Sequence, residues 1–399
     1  MGLPLSDIRI VDFTSVFAGP FGAMLLADQG AEVIKLESPE GDSTRAASIG
    51  LAHDLNGMSI RFLPFNRNKR SIVVDITKPQ GREVAYDLFR WADVLLINLR
   101  VGTRQRRGFT YEDVKRINPK IVYASITGFG EEGPEADLPG IDIVNQARTG
   151  DIGSRQRPGE APPSHTNLFH IDMATSMLIG YSVMLALRQR DRTGQGQKID
   201  LNLLQSALVL NSCNMLRVEG REDEVYPTLP SGMPVNYRCS DGRYILAMTT
   251  GDRWEPFCRA MGLESLLTDS RFDTPQKRAQ HASELYQLLA SHFATRPAAE
   301  WETILKAHSL IVSVIKRLAE VYDDPQVIAN DMFVKYDQPK VGTVQANNVP
   351  FKLSSTAGEE WLRRPNPILG QHTDEVLKEL GYSAEQVRSL KAEGAIGLK

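Results

Sequence analysis

The chain of 399 residues contains only three cysteines, Cys213, Cys239 and Cys258, and their spacing matches no metal-binding pattern. An odd number argues against a disulfide framework, so we expect three core or surface thiols. Neither sign of charge dominates, with 46 lysines and arginines against 49 aspartates and glutamates. A near-balanced charge excludes a general attraction to polyanions, so neither nucleic acid nor a membrane is a predicted partner.

The first residues lack the basic segment and apolar core of a secretory signal peptide, because MGLPLSDIRIVDF enters a strand-like run almost at once. The apolar run at residues 173–187 is too short to span a bilayer. The composition, 42% apolar and 24% charged, is typical of a globular protein. These features predict a cytoplasmic protein with a substantial core.

Strand-like and helix-like runs alternate over the first two hundred residues. Predicted helices at 21–28 and 81–91 lie between strands that are apolar throughout, and these strands are at 8–13, 32–36, 71–75, 94–98 and 121–126. Such strands, alternating with helices, indicate an α/β fold with a parallel sheet that is covered on both faces.

The character of the chain changes after a predicted helix at 203–216. Prolines at 227, 230 and 234 mark a linker, and a hairpin-like stretch with a turn at Asp241-Gly242 follows, then amphipathic helices to about residue 321. We therefore predict a large domain in 1–225, a small α+β domain in 226–330 and a separate C-terminal segment in 331–399.

Asp172 is an isolated carboxylate at the head of the apolar run. An acid at a helix N-terminus is stabilised as the anion by the unpaired N–H groups there. A desolvated, ionised carboxylate beside a cavity can act as a nucleophile. The alternative is an N-cap that only starts the helix, and position alone favours that interpretation.

Two other patterns are weaker. The segment Gly128–Gly133 matches G-x-G-x-x-G, but Pro134 and further turn residues follow, so no helix is predicted to meet a pyrophosphate. An NAD-dependent oxidoreductase is therefore disfavoured. His165 and His170 are five residues apart, which is a poor metal-ligand spacing, and no metal site is predicted.

Two basic clusters could bind an anionic cofactor. One is Asn66–Arg70, just before the third strand, and the other follows the fourth strand at Arg100, Arg104, Arg106 and Arg107. Ligands of open α/β sheets bind beyond the carboxyl ends of the strands, and arginine forks suit phosphates. The alternative is solvated surface charge, and the sequence alone leaves both interpretations open.

The chain resembles a known family, the class III coenzyme A transferases, which include formyl-CoA, carnitine-CoA and bile-acid CoA-transferases. The resemblance covers nearly the whole length, and the order and spacing of its blocks are specific. The matching blocks are 11–14 with 18–20, 26–35, 37–42, 66–71, 92–98, 128–130, Asp172, 193–197, 369–373 and 380–383.

The resemblance implies a Rossmann-like large domain built from both chain ends, so that 331–399 returns to it, and a small inserted domain. It also implies two subunits that are interlocked like rings. A homodimer is therefore expected, with a heteromer containing a paralogous subunit as the alternative.

The resemblance implies a mechanism in which Asp172 holds the place of the family's catalytic aspartate. Asp172 would attack an acyl-CoA thioester, form a mixed anhydride and then an aspartyl-CoA thioester, and pass CoA to an organic acid. CoA and acyl-CoA are substrates in this scheme, and no permanently bound cofactor is needed.

The same resemblance implies a CoA site in the loops after the first and fourth strands. The implied CoA-binding residues are Val16, Phe17, Ala18, Asn98, Leu99, Arg100 and Arg106. The family's glycine-rich active-site loop has only Thr249–Asp252 as a candidate counterpart. Ser38 and Thr77 depart from the formyl-CoA transferase pattern, which argues against formate and oxalate as substrates.

Two alternatives stay open. An acyl-CoA racemase of the same superfamily would need a histidine where this chain has Ile141, which cannot transfer a proton. A non-catalytic CoA-binding subunit of a heteromeric transferase would not need Asp172, whose presence favours the transferase. Arg148, His165 and His170 are candidates to meet the free carboxylate of a dicarboxylic acyl group.

Overall fold

The computed structural model describes residues 2–46, 55–56, 58–156, 160–221, 235–248, 253–356 and 360–397. The chain divides into two compact units. One comprises Met1–Met215 and Asp331–Lys399, and the other comprises Leu216–Asn330. The boundary predicted after residue 225 lies outside the described residues. The larger unit is thus assembled from both ends of the chain.

Six parallel strands form the sheet of the larger unit, in the order β3-β2-β1-β4-β5-β6. They are β1 (Arg9–Phe13), β2 (Glu32–Glu37), β3 (Lys69–Val73), β4 (Val94–Ile97), β5 (Val122–Thr127) and β6 (Gln197–Asn202). The predicted parallel α/β sheet is confirmed. Strand order reverses between β1 and β4, which opens a crevice beyond their carboxyl ends.

Helices connect these strands. They are α1 (Ala18–Ala27), α2 (Pro79–Trp91), α3 (Val101–Arg107), α4 (Tyr111–Ile117), α5 (Asp142–Arg148), α6 (Asp151–Ser154), α7 (His170–Thr193) and α8 (Leu203–Leu210). Two apolar clusters fill the space beside the sheet, one around Phe89 and Phe109, the other around Leu26 and Ile179. Both faces of the sheet are therefore buried, which explains the unbroken apolar runs of the strands.

Helix α7 is longer than the apolar run suggests, with 24 residues. Its length and apolar composition would suffice to cross a bilayer, but one of its faces packs against α1. A Cβ added at Gly22 of α1 would lie 2.9 Å from Ile179 of α7, so glycine permits this close approach. The Ser176 hydroxyl of α7 donates to the Ala18 carbonyl oxygen at 2.9 Å. These contacts hold the first half of α1 against the N-terminal half of α7.

The smaller unit has its own three-stranded antiparallel sheet, β7 (Asn236–Arg238), β8 (Tyr244–Ala247) and β9 (Val312–Val314). The predicted hairpin with its turn at Asp241-Gly242 is confirmed. Its helices are α9 (Trp254–Met261), α10 (Pro275–Gln280), α11 (Ala282–Phe293), α12 (Ala298–Ala307), α13 (Leu318–Val321) and α14 (Pro325–Ala329). Tyr237, Phe257, Phe293 and Trp301 belong to a separate buried core.

The C-terminal segment contains the hairpin β10 (Phe333–Gln338) and β11 (Gly342–Asn347), then α15 (Thr373–Glu379) and α16 (Ala384–Ala392). It contacts the β3 edge of the large sheet. The His372 amide donates to the Ser71 carbonyl oxygen at 3.0 Å, and the Asp75 amide donates to the Ala395 carbonyl oxygen at 2.8 Å. The C-terminal residues therefore complete the larger unit.

Ionised side chains without solvent contact join the first three strands. The Lys69 ammonium on β3 lies 2.8 Å from Oδ2 of Asp12 on β1 and donates to Oδ1 of Asn66 at 2.9 Å. Burial alone would raise the pKa of Asp12, but Lys69 and Lys35 hold it below its usual range. Burial lowers the pKa of Lys69 to about 8, against the opposing pull of Asp12. The cluster is stable only because each charge has a partner.

The same cluster holds the loop that follows β1. The Lys35 ammonium on β2 lies 2.9 Å from Oδ2 of Asp42 and donates to the Thr14 carbonyl oxygen at 2.9 Å. Oδ1 of Asp42 accepts the amide of Val16 at 3.3 Å. Burial disfavours the charge on Lys35, yet Asp42 and Asp12 raise the pKa of its ammonium group. A buried charge is thus used to position backbone at the end of β1.

The cluster Asn66–Arg70 is not an anion site, and this interpretation of the sequence was wrong. Its cations are bound to carboxylates of the protein itself. The Arg67 guanidinium lies 2.7 Å from Asp28, and that of Arg70 lies 2.6 Å from Glu32 and contacts two acidic residues of α15. These basic residues form internal ion pairs because folding brings them next to acidic residues from distant parts of the chain. The local sequence does not reveal those partners.

We expect Lys69→Met to lower the free energy of unfolding by about 3–5 kcal/mol, because it leaves the Asp12 carboxylate buried without its nearest cation. Urea denaturation at pH 7 measures the change. Lys391→Met is the matched control, because its ammonium pairs with Asp374 at the surface, and it should cost no more than about 0.5 kcal/mol. Equal losses in the two variants would contradict the structural role of the buried cluster.

Candidate active site

A cavity of about 670 Å³ lies beyond the carboxyl ends of β1, β4 and β5. Its walls include residues 15–18 after β1, residues 98–100 after β4 and residues 126–128 at the end of β5. Residues 138–143, which lead into α5, and the start of α7 complete the lining. The cavity therefore occupies the crevice that the strand order creates, where ligands bind in open α/β sheets.

The loop after β1 is held in a constrained conformation. The Asn98 side chain accepts the Ser15 amide at 3.2 Å and donates to the Ser15 carbonyl oxygen at 2.9 Å. Val16 has φ of 75°, which costs a β-branched residue on the order of 1–2 kcal/mol. Asn98 and Asp42 together stabilise this loop geometry, and strain maintained in this way is typical of binding sites.

Asp172 is the third residue of α7 and lines the cavity. The helix begins at His170, and its N-cap is Phe169, so the interpretation of Asp172 as the N-cap is wrong. Phe169 has φ of 47°, another strained position beside the cavity. The Asp172 side chain is 7% exposed, and its carboxylate makes no hydrogen bond to any described residue. A carboxylate in this state is available to a ligand.

Asp142 takes the capping role that the sequence suggested for Asp172. Its Oδ2 accepts the amides of Ile171 at 2.8 Å and of Asp172 at 3.0 Å, and its Oδ1 accepts Nε2 of Gln146 at 2.5 Å. The free N–H groups at the start of α7 are therefore used by Asp142. The expectation that they keep Asp172 ionised was wrong.

Burial and the neighbouring Asp142 carboxylate raise the pKa of Asp172 to about 7. Near neutral pH a substantial fraction of Asp172 is therefore ionised, and its oxygens are more basic than those of an ordinary carboxylate. A carboxylate of this kind can attack an electrophilic carbonyl or accept a proton. A strongly shifted group in a cavity is typical of a functional site.

Most of the residues implied for CoA binding surround the cavity. Six of the seven line it: Val16, Phe17, Ala18, Asn98, Leu99 and Arg100. Arg106 does not line it, since its side chain is exposed on α3 and donates to Oγ1 of Thr103 at 3.2 Å. Of the second basic cluster only Arg100 reaches the cavity, because Arg104 is buried against Glu131 at 2.7 Å. The loop candidate Thr249–Asp252 lies outside the described residues.

Of the three residues expected to meet a substrate carboxylate, only His165 lines the cavity. The Arg148 guanidinium pairs with Glu135, and the His170 ring lies 3.4 Å from Asp151. Both side chains therefore already have acidic partners on the protein.

The glycine motif has a packing role. A Cβ added at Gly128 would lie 2.4 Å from Cα of Gly140, so these glycines let two loops of the cavity wall touch. No helix starts within Gly128–Gly133, so the feature that binds a dinucleotide pyrophosphate is absent from this described stretch. Among the described residues, no group of three or more acidic, histidine or cysteine side chains could hold a metal ion.

Sequence reasoning missed Arg61 and the role of Asp142. Arg61 lines the cavity, with its guanidinium carbon 5.5 Å from the ring centre of Phe169 and 6.0 Å from that of Phe17. A single cation within the apolar stretch MSIRFLPF was the available signal. The local sequence contained no signal for the capping role of Asp142, because the amides that it caps lie 29 and 30 residues away.

A family model described as CoA-transferase family III matches residues 5–373 of the chain. The chain is 33% identical over 399 residues to the succinyl-CoA:glutarate CoA-transferase of Mus musculus, covering 98% of this chain and 90% of that protein. It is 34% identical over 420 residues to the formyl-CoA:oxalate CoA-transferase of Streptomyces coelicolor, covering 98% and 99%.

A solved structure of a CAIB/BAIF family protein from Brucella suis is similar in fold. It superposes with a TM-score of 0.82 at 30% identity, and the match covers 95% of this chain and 100% of that one. The similarity in sequence and in fold therefore extends over nearly all of the chain.

We expect Asp172→Asn to stabilise the protein at high pH. The unfolded carboxyl ionises near 3.8 and the folded one near 7, so wild-type stability falls as pH rises through this window. Asparagine avoids the cost, so the variant should exceed the wild type by up to about 4 kcal/mol at pH 8 and match it at pH 4. Thermal denaturation at both values measures this. Asp374→Asn, on the exposed face of α15, should follow the wild type; a destabilised Asp172→Asn at pH 8 would contradict the raised pKa.

Proposed function

The chain belongs to CoA-transferase family III, and from that premise we propose that Asp172 is the nucleophile that transfers CoA from an acyl-CoA thioester to a carboxylic acid. One observation carries the proposal: a cavity-lining carboxylate has no hydrogen bond to any described residue, and its pKa is raised to about 7. Both properties favour attack on a carbonyl carbon.

The first half of the reaction releases the donor acid. An oxygen of the ionised Asp172 attacks the thioester carbonyl, the C–S bond breaks, and a mixed anhydride forms as CoA leaves as the thiolate. The thiolate then attacks the aspartyl carbonyl carbon of the anhydride. The C–O bond breaks, the donor acid leaves as a carboxylate, and CoA is held as an aspartyl thioester.

The second half repeats these steps with the acceptor. The acceptor carboxylate attacks the aspartyl carbonyl, giving a new mixed anhydride and the CoA thiolate. The thiolate attacks the acceptor acyl carbon, so that acyl-CoA leaves and Asp172 is regenerated. No net proton, electron or water is consumed, and water must be kept from the anhydride. The near-complete burial of Asp172 supports this requirement.

Asp142 acts on the nucleophile in two ways. It removes the N–H groups that would otherwise stabilise the Asp172 anion, and its charge opposes ionisation of Asp172. Both effects keep the attacking oxygen basic. The cost is that the reactive form of Asp172 is populated only as the pH approaches 7.

Coenzyme A is proposed to bind at residues 16–18 and 98–100, with Arg106 as a phosphate contact outside the cavity. Helix α1 begins at this loop with no acidic residue in its first turn, and no described side chain caps it. Its unpaired amides favour an anion, such as the CoA thiolate. Arg100 and Arg106 are exposed and lie before and within α3, where they can meet the phosphates of a long substrate.

We propose an interlocked homodimer, with a heteromer containing a paralogous subunit as the alternative. The described part of the chain exposes an apolar stripe on α7, in which Met177, Tyr181 and Leu185 are 60%, 64% and 53% exposed. Their i, i+4, i+8 spacing places them on one face, as expected for a helix that packs against another subunit. A cytoplasmic location, with no nucleic acid or membrane partner, completes the proposal.

The alternatives have less support. Ile141 lines the cavity where an acyl-CoA racemase would need a proton-transferring histidine. A subunit that only binds CoA would have no use for a carboxylate with a raised pKa. NAD-dependent oxidation would need a pyrophosphate-binding turn that leads into a helix, whereas no helix starts within residues 128–133 and Gly128 packs against Gly140.

We expect Asp172→Ala to reduce CoA exchange by at least about 10⁴-fold while CoA binding is retained, because the variant lacks the attacking oxygen. Wild-type enzyme incubated with acyl-CoA and then hydroxylamine or borohydride should carry a modification at Asp172, detectable by peptide mass spectrometry. Asp374→Ala is the control and should react normally. An enzyme that binds CoA but never forms the adduct would instead be a non-catalytic subunit.

The kcat/KM for acyl-CoA should rise with pH, with an apparent pKa near 7, as Asp172 ionises. Asp142→Asn can still accept the two α7 amides but removes the neighbouring negative charge, so the midpoint should fall to about pH 6. Melting temperature measured alongside checks that the variant is folded. An unchanged midpoint in a folded Asp142→Asn would show that Asp142 has only a capping role.

A further inference from the structure

Arg61 lines the cavity that contains Asp172, and it has no anionic partner among the residues that the structure describes. Its backbone amide donates to Oγ of Ser59 at 3.0 Å, but its guanidinium makes no hydrogen bond or ion pair with any described residue. By contrast, three arginines near the first three strands, Arg45, Arg67 and Arg70, each have a carboxylate partner. Arg61 therefore has unused capacity to bind an anion.

The position of Arg61 is fixed by aromatic packing. Phe62, the next residue, is fully buried, and a short 3₁₀ turn at Leu63–Phe65 follows. The guanidinium lies over the rings of Phe17 and Phe169, whose centroids are 4.9 Å apart. Aromatic faces attract a cation and restrict its position, but they leave its charge and its five N–H donors available.

The location of Arg61 distinguishes it from the other basic residues of the cavity. Arg100 and His165 are exposed, whereas Arg61 is partly buried. Phe169, which contacts the Arg61 guanidinium, precedes Asp172 by only three residues and is the N-cap of the same helix. Arg61 therefore faces the part of the cavity next to the proposed nucleophile.

We propose that Arg61 binds the second carboxylate of a dicarboxylic substrate, so that this enzyme transfers CoA between acids that carry two carboxyl groups. The inference rests on the proposed function of Asp172, because one carboxyl must react there while the other is held. Since transfer is reversible, Arg61 holds the free carboxylate of the acyl group in the donor thioester and of the acid in the acceptor.

The chemistry of the guanidinium supports this substrate class. A planar fork matches a carboxylate with two parallel N–H···O bonds, and such charge-assisted bonds are stronger when they are screened from water. A monocarboxylic acid of the same length would leave the guanidinium unpaired beside an alkyl group. The enzyme therefore selects dicarboxylic acids in two ways. The second carboxylate gains hydrogen bonds to the guanidinium, and a monocarboxylic acid leaves the guanidinium desolvated without a partner.

The test compares succinate with butanoate as acceptors, which differ only in the second carboxyl group. In the wild type, kcat/KM should favour succinate, and in Arg61→Met this ratio should fall by about 10- to 100-fold, mainly through the KM for succinate. Arg61→Lys keeps the charge but loses the fork, so its ratio should be intermediate. Arg388→Met, an exposed arginine on α16, is the matched control and should keep the wild-type ratio.

A binding measurement separates this proposal from the mechanism. Titration of succinate and butanoate into CoA-saturated wild type and Arg61→Met measures the same contact without turnover. If wild type binds butanoate as tightly as succinate, or if Arg61→Met binds succinate as well as wild type does, the role of Arg61 is overturned. Failure to trap an adduct on Asp172 would overturn the nucleophile instead, and the titration would still decide the role of Arg61.

Discussion

Two lysines and two aspartates, all shielded from water, join the first three strands beneath the loop that begins the cavity. Lys69 and Asp12 link β3 to β1, and Lys35 links β2 to Asp42 and to the backbone of Thr14. The charges of the four groups cancel, which makes their burial tolerable. The loop after β1 is fixed by this cluster and by Asn98, so the left-handed Val16 and the wall formed by residues 15–18 depend on it.

Two carboxylates lie at the start of α7, and only one of them, Asp142, is bound to the amides of the helix. Asp142 accepts the two amides and behaves as an ordinary cap, while the carboxylate of Asp172, in the first turn of the helix, accepts no hydrogen bond from a described residue. Desolvation and the charge of Asp142 then raise the pKa of Asp172 to about 7. Holding a desolvated, basic carboxylate in the cavity lowers the stability of the folded protein near neutral pH. Such a loss is expected where the requirements of function oppose those of stability.

The role of an arginine in this protein depends on whether folding brings it next to an acidic side chain. An arginine that meets an acid from elsewhere in the chain becomes structural, as Arg67, Arg70 and Arg104 do. Arg61 meets aromatic rings instead and keeps its binding capacity. Density of basic residues in the sequence was therefore a poor guide, because the clusters at 66–70 and 100–107 contain mostly internal ion pairs and exposed side chains.

Apolar strands that alternate with helices along the chain were sufficient to predict the parallel sheet, because a strand buried on both faces must be apolar throughout. Ordered blocks along the chain were sufficient to identify the family and to single out Asp172. Folding selected the carboxylate that caps α7 and the residues that surround the cavity, and it left Arg61 without an acidic partner among the described residues. Asp142 lies 29 and 30 residues from the amides that it caps, and Arg70 lies 305 and 309 residues from its acidic partners on α15. Hydrogen bonds and desolvation act only between groups that folding has brought together.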